Sequence, residues 1–157
     1  MAYLTKFSFG ATSAIVTCLA LIVSLSKSSN PRLTIIGSLL VIAVADNISD
    51  SLGIHIYQES ELLNSNVVRA ATFSNFFTRF LTILIFVLLF GFLPIRYAGI
   101  ISIVYGISVL SLLSYLIAKE QKANPYKAIL THVTIAILVI IVSSLLSEWL
   151  IEIFRKT

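Results

Sequence analysis

Five apolar runs, nearly free of charge and separated by short polar linkers, leave this chain almost no choice of environment. They lie at about residues 7–25, 33–57, 71–95, 97–118 and 126–150. Each is long enough, or nearly so, for the roughly 20 apolar residues that a membrane-spanning helix requires. The reading is therefore an all-α integral membrane protein of five transmembrane helices forming a single membrane domain. Composition agrees: 58% of the 157 residues are hydrophobic and only 11% are charged, with a mean hydropathy of +1.01. A soluble domain carries about 25% charged residues. The first run follows Lys6 and could pass for a signal peptide, but it is long for one and no small-residue cleavage pattern follows, so it reads as a retained span.

The linkers are plain. Ser26–Arg32 is a polar turn in which Pro31 can open the second helix. Gln58–Asn75 is polar and too short for a domain of its own. The third span has only 16 uncharged residues between Phe80 and Ile95, so its helix should begin near Ala71 and carry Arg79 inside it. Pro94 marks its end, Arg96 sits in a tight turn, and Lys119–Pro125 forms the last loop. Six basic residues (Lys6, Arg69, Arg79, Lys119, Lys122, Lys127) face five (Lys27, Arg32, Arg96, Arg155, Lys156), a slight lean towards a cytoplasmic N-terminus. Host membrane, whether cell or organelle, is left open.

The formal charge of +4 and pI near 9.4 come from scattered helix-end Lys and Arg, with no basic run of the kind that binds nucleic acid. Cys18, the single cysteine, excludes an intrachain disulfide and any paired-cysteine metal knuckle. No nucleophile–base arrangement, phosphate loop or zinc motif occurs, so an enzyme is not expected, nor a tightly bound cofactor.

What does stand out is Val44–Glu61. At about 100° per residue, Asp46, Asp50, Gly53, Tyr57 and Glu61 share one helical face. A carboxylate inside the bilayer costs roughly 2.5–3.5 kcal/mol even on the lenient insertion scale, so two of them one turn apart form a candidate cation site. Hard oxygen ligands suit Mn²⁺, Fe²⁺ or Mg²⁺. Asn47 and Ser51 flank the pair as candidate supporting donors, and Glu59 and Glu61 are candidate cation collectors at the mouth. Arg79 lies 17 residues before Arg96, while Asp46 and Asp50 lie 14 and 18 after Arg32. At about 1.5 Å rise per residue these depths match within a turn, so an ion pair of Arg79 with either aspartate is expected, as a counter-charge that leaves when metal arrives or as a fixed bridge that silences transport; snorkelling of Arg79 to the surface is the third option. His55 and His132 read as polar residues near the interface, not placed in a pathway. Glu148, Trp149 and Glu152 read as an interfacial anchor.

Phe9-Gly10-Ala11-Thr12-Ser13-Ala14-Ile15-Val16-Thr17 resembles the first span of the vacuolar iron transporter family, typically FGLNDGLVTT. Ala45-Asp46-Asn47-Ile48-Ser49-Asp50-Ser51-Leu52-Gly53 resembles that family's second span, typically AD-x-x-SM-x-x-G. Leu116–Trp149, with Asn124-Pro125-Tyr126-Lys127 between two spans, looks like its last hairpin. The resemblance implies that family's five-helix bundle and a homodimer with the pathway between subunits. It also implies transport of Fe²⁺ or Mn²⁺ in exchange for protons, with Asp46 matching a pore carboxylate. Three departures are plain. Thr12-Ser13-Ala14 replaces the first-span Asn-Asp-Gly, Asp50 replaces the second-span methionine, and the glutamate-rich cytoplasmic domain of plant-type members is absent. The expected function is thus divalent-metal transport, the alternative a transport-inactive relative with a structural or regulatory role.

Overall fold

The computed structural model describes the backbone of residues 2–154 and the side chains of residues 10–154. Five helices follow in order: α1 (Ala2–Leu25), α2 (Pro31–Ser60), α3 (Ser65–Phe92), α4 (Ile95–Glu120) and α5 (Pro125–Phe154). Among the described residues there is no strand. Helices α2 to α5 are each long and apolar enough to cross a membrane, at 30, 28, 26 and 30 residues. At about 1.5 Å per residue each exceeds the roughly 30 Å of bilayer hydrocarbon. The described apolar part of α1, Gly10–Leu25, is shorter. Four helices of this length and composition are consistent with a multi-pass membrane protein.

Local chemistry sets the boundaries, several of which differ from those read from sequence. Pro31 sits in the first turn of α2, where its missing N–H costs nothing. The polar stretch 58–75 is mostly helix, and only residues 61–64 connect α2 to α3. Leu62 takes a left-handed conformation (φ 56°), and the Asn64 side chain accepts from the Asn66 N–H at 3.0 Å, starting α3 at Ser65 rather than near Ala71. This early start is supported by burial of Val68 and Ala71 against the bundle. At its other end α3 stops at Phe92. Leu93 is extended (ψ 149°) because a following proline disfavours the helical region. Pro94 then opens α4, its carbonyl accepting from the N–H groups of Tyr97 and Ala98, so Arg96 lies in the first turn of a helix. Asn124 caps α5 by accepting from Tyr126 and Lys127 N–H.

The helices alternate in direction. One end of the bundle gathers the α1–α2 turn, the α3–α4 turn and the end of α5. There Lys27 pairs with Glu148, Arg32 donates to the Leu93 carbonyl at 2.6 Å, and the Ser147 hydroxyl donates to the Ser24 carbonyl at 2.6 Å. Helix α1 is the hub: no residue between Gly10 and Leu25 is exposed, and Ala14, Ile15, Cys18, Leu19 and Ile22 pack against Leu39, Ile83, Phe86 and Leu110. Small residues permit this closeness. A Cβ placed on Gly10 would lie 2.6 Å from Asn75 Oδ1, and one on Gly106 3.0 Å from Leu19. Helix α5 is the opposite case, with Ala136 its one buried residue and Leu130, Leu138, Ile141 and Leu145 facing outward. Polar groups turn inward instead: Asn47, Ser51, Asn75, Arg79, Ser102 and Ser114 are all buried. That inversion suits a lipid solvent.

Candidate functional site

The site is assembled at a break in helical rhythm. Between Val41 and Asn47, α2 passes through a π-helical turn, Ile42–Asp46, in which the Asn47 N–H reaches back five residues to the Ile42 carbonyl. Such a turn accommodates one extra residue and rotates the helix beyond it, and single π turns recur at functional sites. Asp46 is its last residue, 15 positions after Pro31 and 14 before Ser60. Arg79 is 14 positions after Ser65 and 13 before Phe92. Both charged residues therefore stand at the midpoints of antiparallel spanning helices, the costliest depth for a charge.

They meet there. Arg79 Nη2 is paired with Asp46 Oδ2, and Arg79 Nη1 lies 3.4 Å from Asp50 Oδ2 and donates to Ser13 Oγ on α1 at 2.6 Å. The sequence leaves the choice between the two aspartates open; one guanidinium serves both. Snorkelling is excluded by burial, since the Arg79 side chain is only 2% exposed. Asn75 completes the cluster, its Nδ2 donating to Asp50 Oδ2 at 3.0 Å and to Ser51 Oγ at 3.3 Å. Two carboxylates against one guanidinium leave one net negative charge per chain. The carboxylates are not sealed: Asp46 and Asp50 side chains are 48% and 27% exposed, opening on the outer face of α2 beside the exposed Val44, Ile48 and Leu52.

Other candidates fall elsewhere. Ser51 is within the network, but Asn47 turns to α3 and donates to the Phe76 carbonyl at 2.9 Å, a helix-to-helix tie. Glu59 belongs to a separate group nearer the α2–α3 connection. There His55 sets Nε2 3.3 Å from Glu59 Oε1 and Nδ1 3.1 Å from Thr72 Oγ1. Glu61 is exposed at the end of α2. Within one chain, no three His, Cys, Asp or Glu side chains among the described residues come together as a metal-binding group. His132 lies apart, 2.8 Å from Ser114 Oγ between α4 and α5. Glu148 pairs with Lys27, and Trp149 is exposed beside it. Arg155, Lys156 and the Lys6 side chain lie outside the described residues.

Sequence reasoning overlooks Asn75 and does not place Ser13 in the charged cluster. The signal for Asn75 is its place four residues before Arg79, on the same face of α3. Ser13 lies on α1, and its hydroxyl accepts from the arginine.

Comparison of the chain with family models, curated proteins and solved structures gave no match in any of the three.

Proposed function

We propose that the chain is a five-span transporter of a divalent transition metal, Mn²⁺ or Fe²⁺, exchanged for protons at Asp46 and Asp50. The observation that carries this reading is the pair of carboxylates one turn apart at the midpoint of a spanning helix, faced by a single buried arginine and still partly open. A net negative charge at that depth favours a cation or a proton as occupant. Two partly exposed carboxylates on an apolar face would be covered by a second copy. The exposed small residues Ala45 and Ser49, together with Gly53, whose added Cβ would meet nothing, allow a close helix contact there. In such a homodimer the four carboxylates would supply the ligand number that one chain lacks. The resemblance of residues 9–17 and 45–53 to the vacuolar iron transporter family supports the same bundle, homodimer and cargo.

A second reading has its own observation. The guanidinium engages both carboxylates and the described residues of one chain bring no third His, Cys, Asp or Glu to them, as expected of a transport-inactive relative whose charged cluster holds helices together. Mn²⁺ uptake into proteoliposomes, measured together with counterflow of protons, separates the two. Uptake driven by a pH gradient supports transport, and none by folded, inserted protein supports the structural role.

A further inference from the structure

The charged cluster carries hydrogen-bonding capacity that the resting arrangement does not use. Arg79, Asn75 and Asn47 are 2%, 2% and 0% exposed. Yet Arg79 Nε has no acceptor, and Asn75 Oδ1 and Asn47 Oδ1 have no donor. Unmatched polar atoms this deeply buried are uncommon, and each calls for a reason. Here they are one donor and two acceptors, of which Arg79 Nε and Asn75 Oδ1 belong to residues one turn apart on α3. Asn75 precedes Arg79 by one turn of α3, and its Oδ1 and the Arg79 Cγ flank the same point beside Gly10. Asn47 is tied to the Phe76 carbonyl, three residues before Arg79.

We propose that Arg79 is a tethered competitor for the transported cation, with two bonded positions: one on Asp46 and Asp50, the other on the amide oxygens of Asn75 and Asn47. This rests on the transport reading. A metal ion bound at Oδ2 of both aspartates competes with the guanidinium that engages those same two oxygens. When the cation takes those oxygens the arginine must retire, and a spanning helix gives it no water to retire into. The two amide oxygens supply acceptors within the protein, and the idle Nε supplies a donor. Ser13, which accepts from Nη1, sits on the hub helix and holds the guanidinium inside the bundle in the resting position. Because the arginine is covalently attached, it competes at high effective concentration, so the open form is a fraction of the population and the apparent affinity for metal is lowered by that fraction.

The test is Mn²⁺ binding by titration calorimetry to the full-length protein in detergent, comparing wild type, Arg79→Gln and Arg79→Lys. Replacing a charge-assisted competitor should tighten Mn²⁺ binding about 10- to 100-fold in Arg79→Gln. Arg79→Lys, whose compact ammonium cannot fork across both carboxylates, should fall between them and answers the question if the glutamine variant does not fold. Guanidinium chloride at millimolar concentration should displace Mn²⁺ from Arg79→Gln, while sodium chloride of equal ionic strength should not. Asn75→Leu should weaken Mn²⁺ binding further in the wild-type background than in Arg79→Gln, since the retreat then matters only when the arginine is present. Displacement by guanidinium and not by sodium shows that the two cations share one site, and the Asn75 comparison separates a retreating arginine from a static tie. Wild-type binding left unchanged or weakened by removal of the guanidinium from folded protein would overturn the competitor role alone. Absence of Mn²⁺ binding in wild type and in every Arg79 variant would overturn the transport reading with it.

Discussion

Removing the Arg79 guanidinium should cost far more than removing the whole charged cluster. In Arg79→Met the side chain keeps most of its apolar stem, but Asp46 and Asp50 lose their shared counter-charge and Ser13 loses its donor. Stranding one side of a buried ion pair costs about 3–5 kcal/mol. Asp50 keeps its bond from Asn75 and Asp46 is half open, which places the expected loss near the lower end, about 3 kcal/mol. For a chain of this size that corresponds to a fall in melting temperature on the order of 10 °C. The variant Arg79→Met/Asp46→Asn/Asp50→Asn removes the charges together, so it should lie within about 1 kcal/mol of wild type. The assay is thermal unfolding in detergent micelles monitored by far-ultraviolet circular dichroism. Equal melting of the single and triple variants would refute the argument, because it would mean that the cost arises from lost packing and not from uncompensated charge.

The packing makes three further outcomes testable. Gly10→Val should destabilise the bundle by about 2 kcal/mol or more, read in the same melt, because its Cβ would enter at 2.6 Å from Asn75 Oδ1 and displace the donor to Asp50. Asn64→Ala should cost about 1 kcal/mol through loss of the cap on α3, with faster hydrogen exchange confined to the first turn after Ser65. Lys27→Gln should change stability by less than about 1 kcal/mol, since its pairing with Glu148 joins two exposed side chains and is readily screened.

The helices are legible in the sequence because lipid imposes a simple requirement: long apolar runs interrupted by Pro31, Pro94 and Pro125. Even the meeting of Arg79 with the aspartates can be had by counting residues from Arg32 and Arg96. The misreadings have physical sources. Helix α3 begins six residues before the start expected from sequence because its first turns are polar in composition, yet they are capped by Asn64 and packed through Val68 and Ala71. The π turn is invisible in the sequence, since it depends on how α2 packs and not on any residue signature in Ile42–Asp46. Because the turn falls at Asp46, a straight-helix reading of Asp46, Asn47 and Ser51 does not foretell that Asn47 serves α3's backbone. Asn75 reads as part of a linker, although it is the residue that holds Asp50 in place. Glu59 groups with Glu61 by sequence proximity, whereas its partner is His55, one turn back on the same helix.

The central claim is that Asp46 and Asp50 form a working cation site and not a static tie. It is met most directly by Mn²⁺ flux into proteoliposomes under a pH gradient, comparing wild type, Asp46→Asn, Asp50→Asn and Glu59→Gln at matched insertion. Flux in wild type and in Glu59→Gln, lost in either aspartate variant, is the predicted result. Equal flux in all four proteins, or none in wild type, would contradict it.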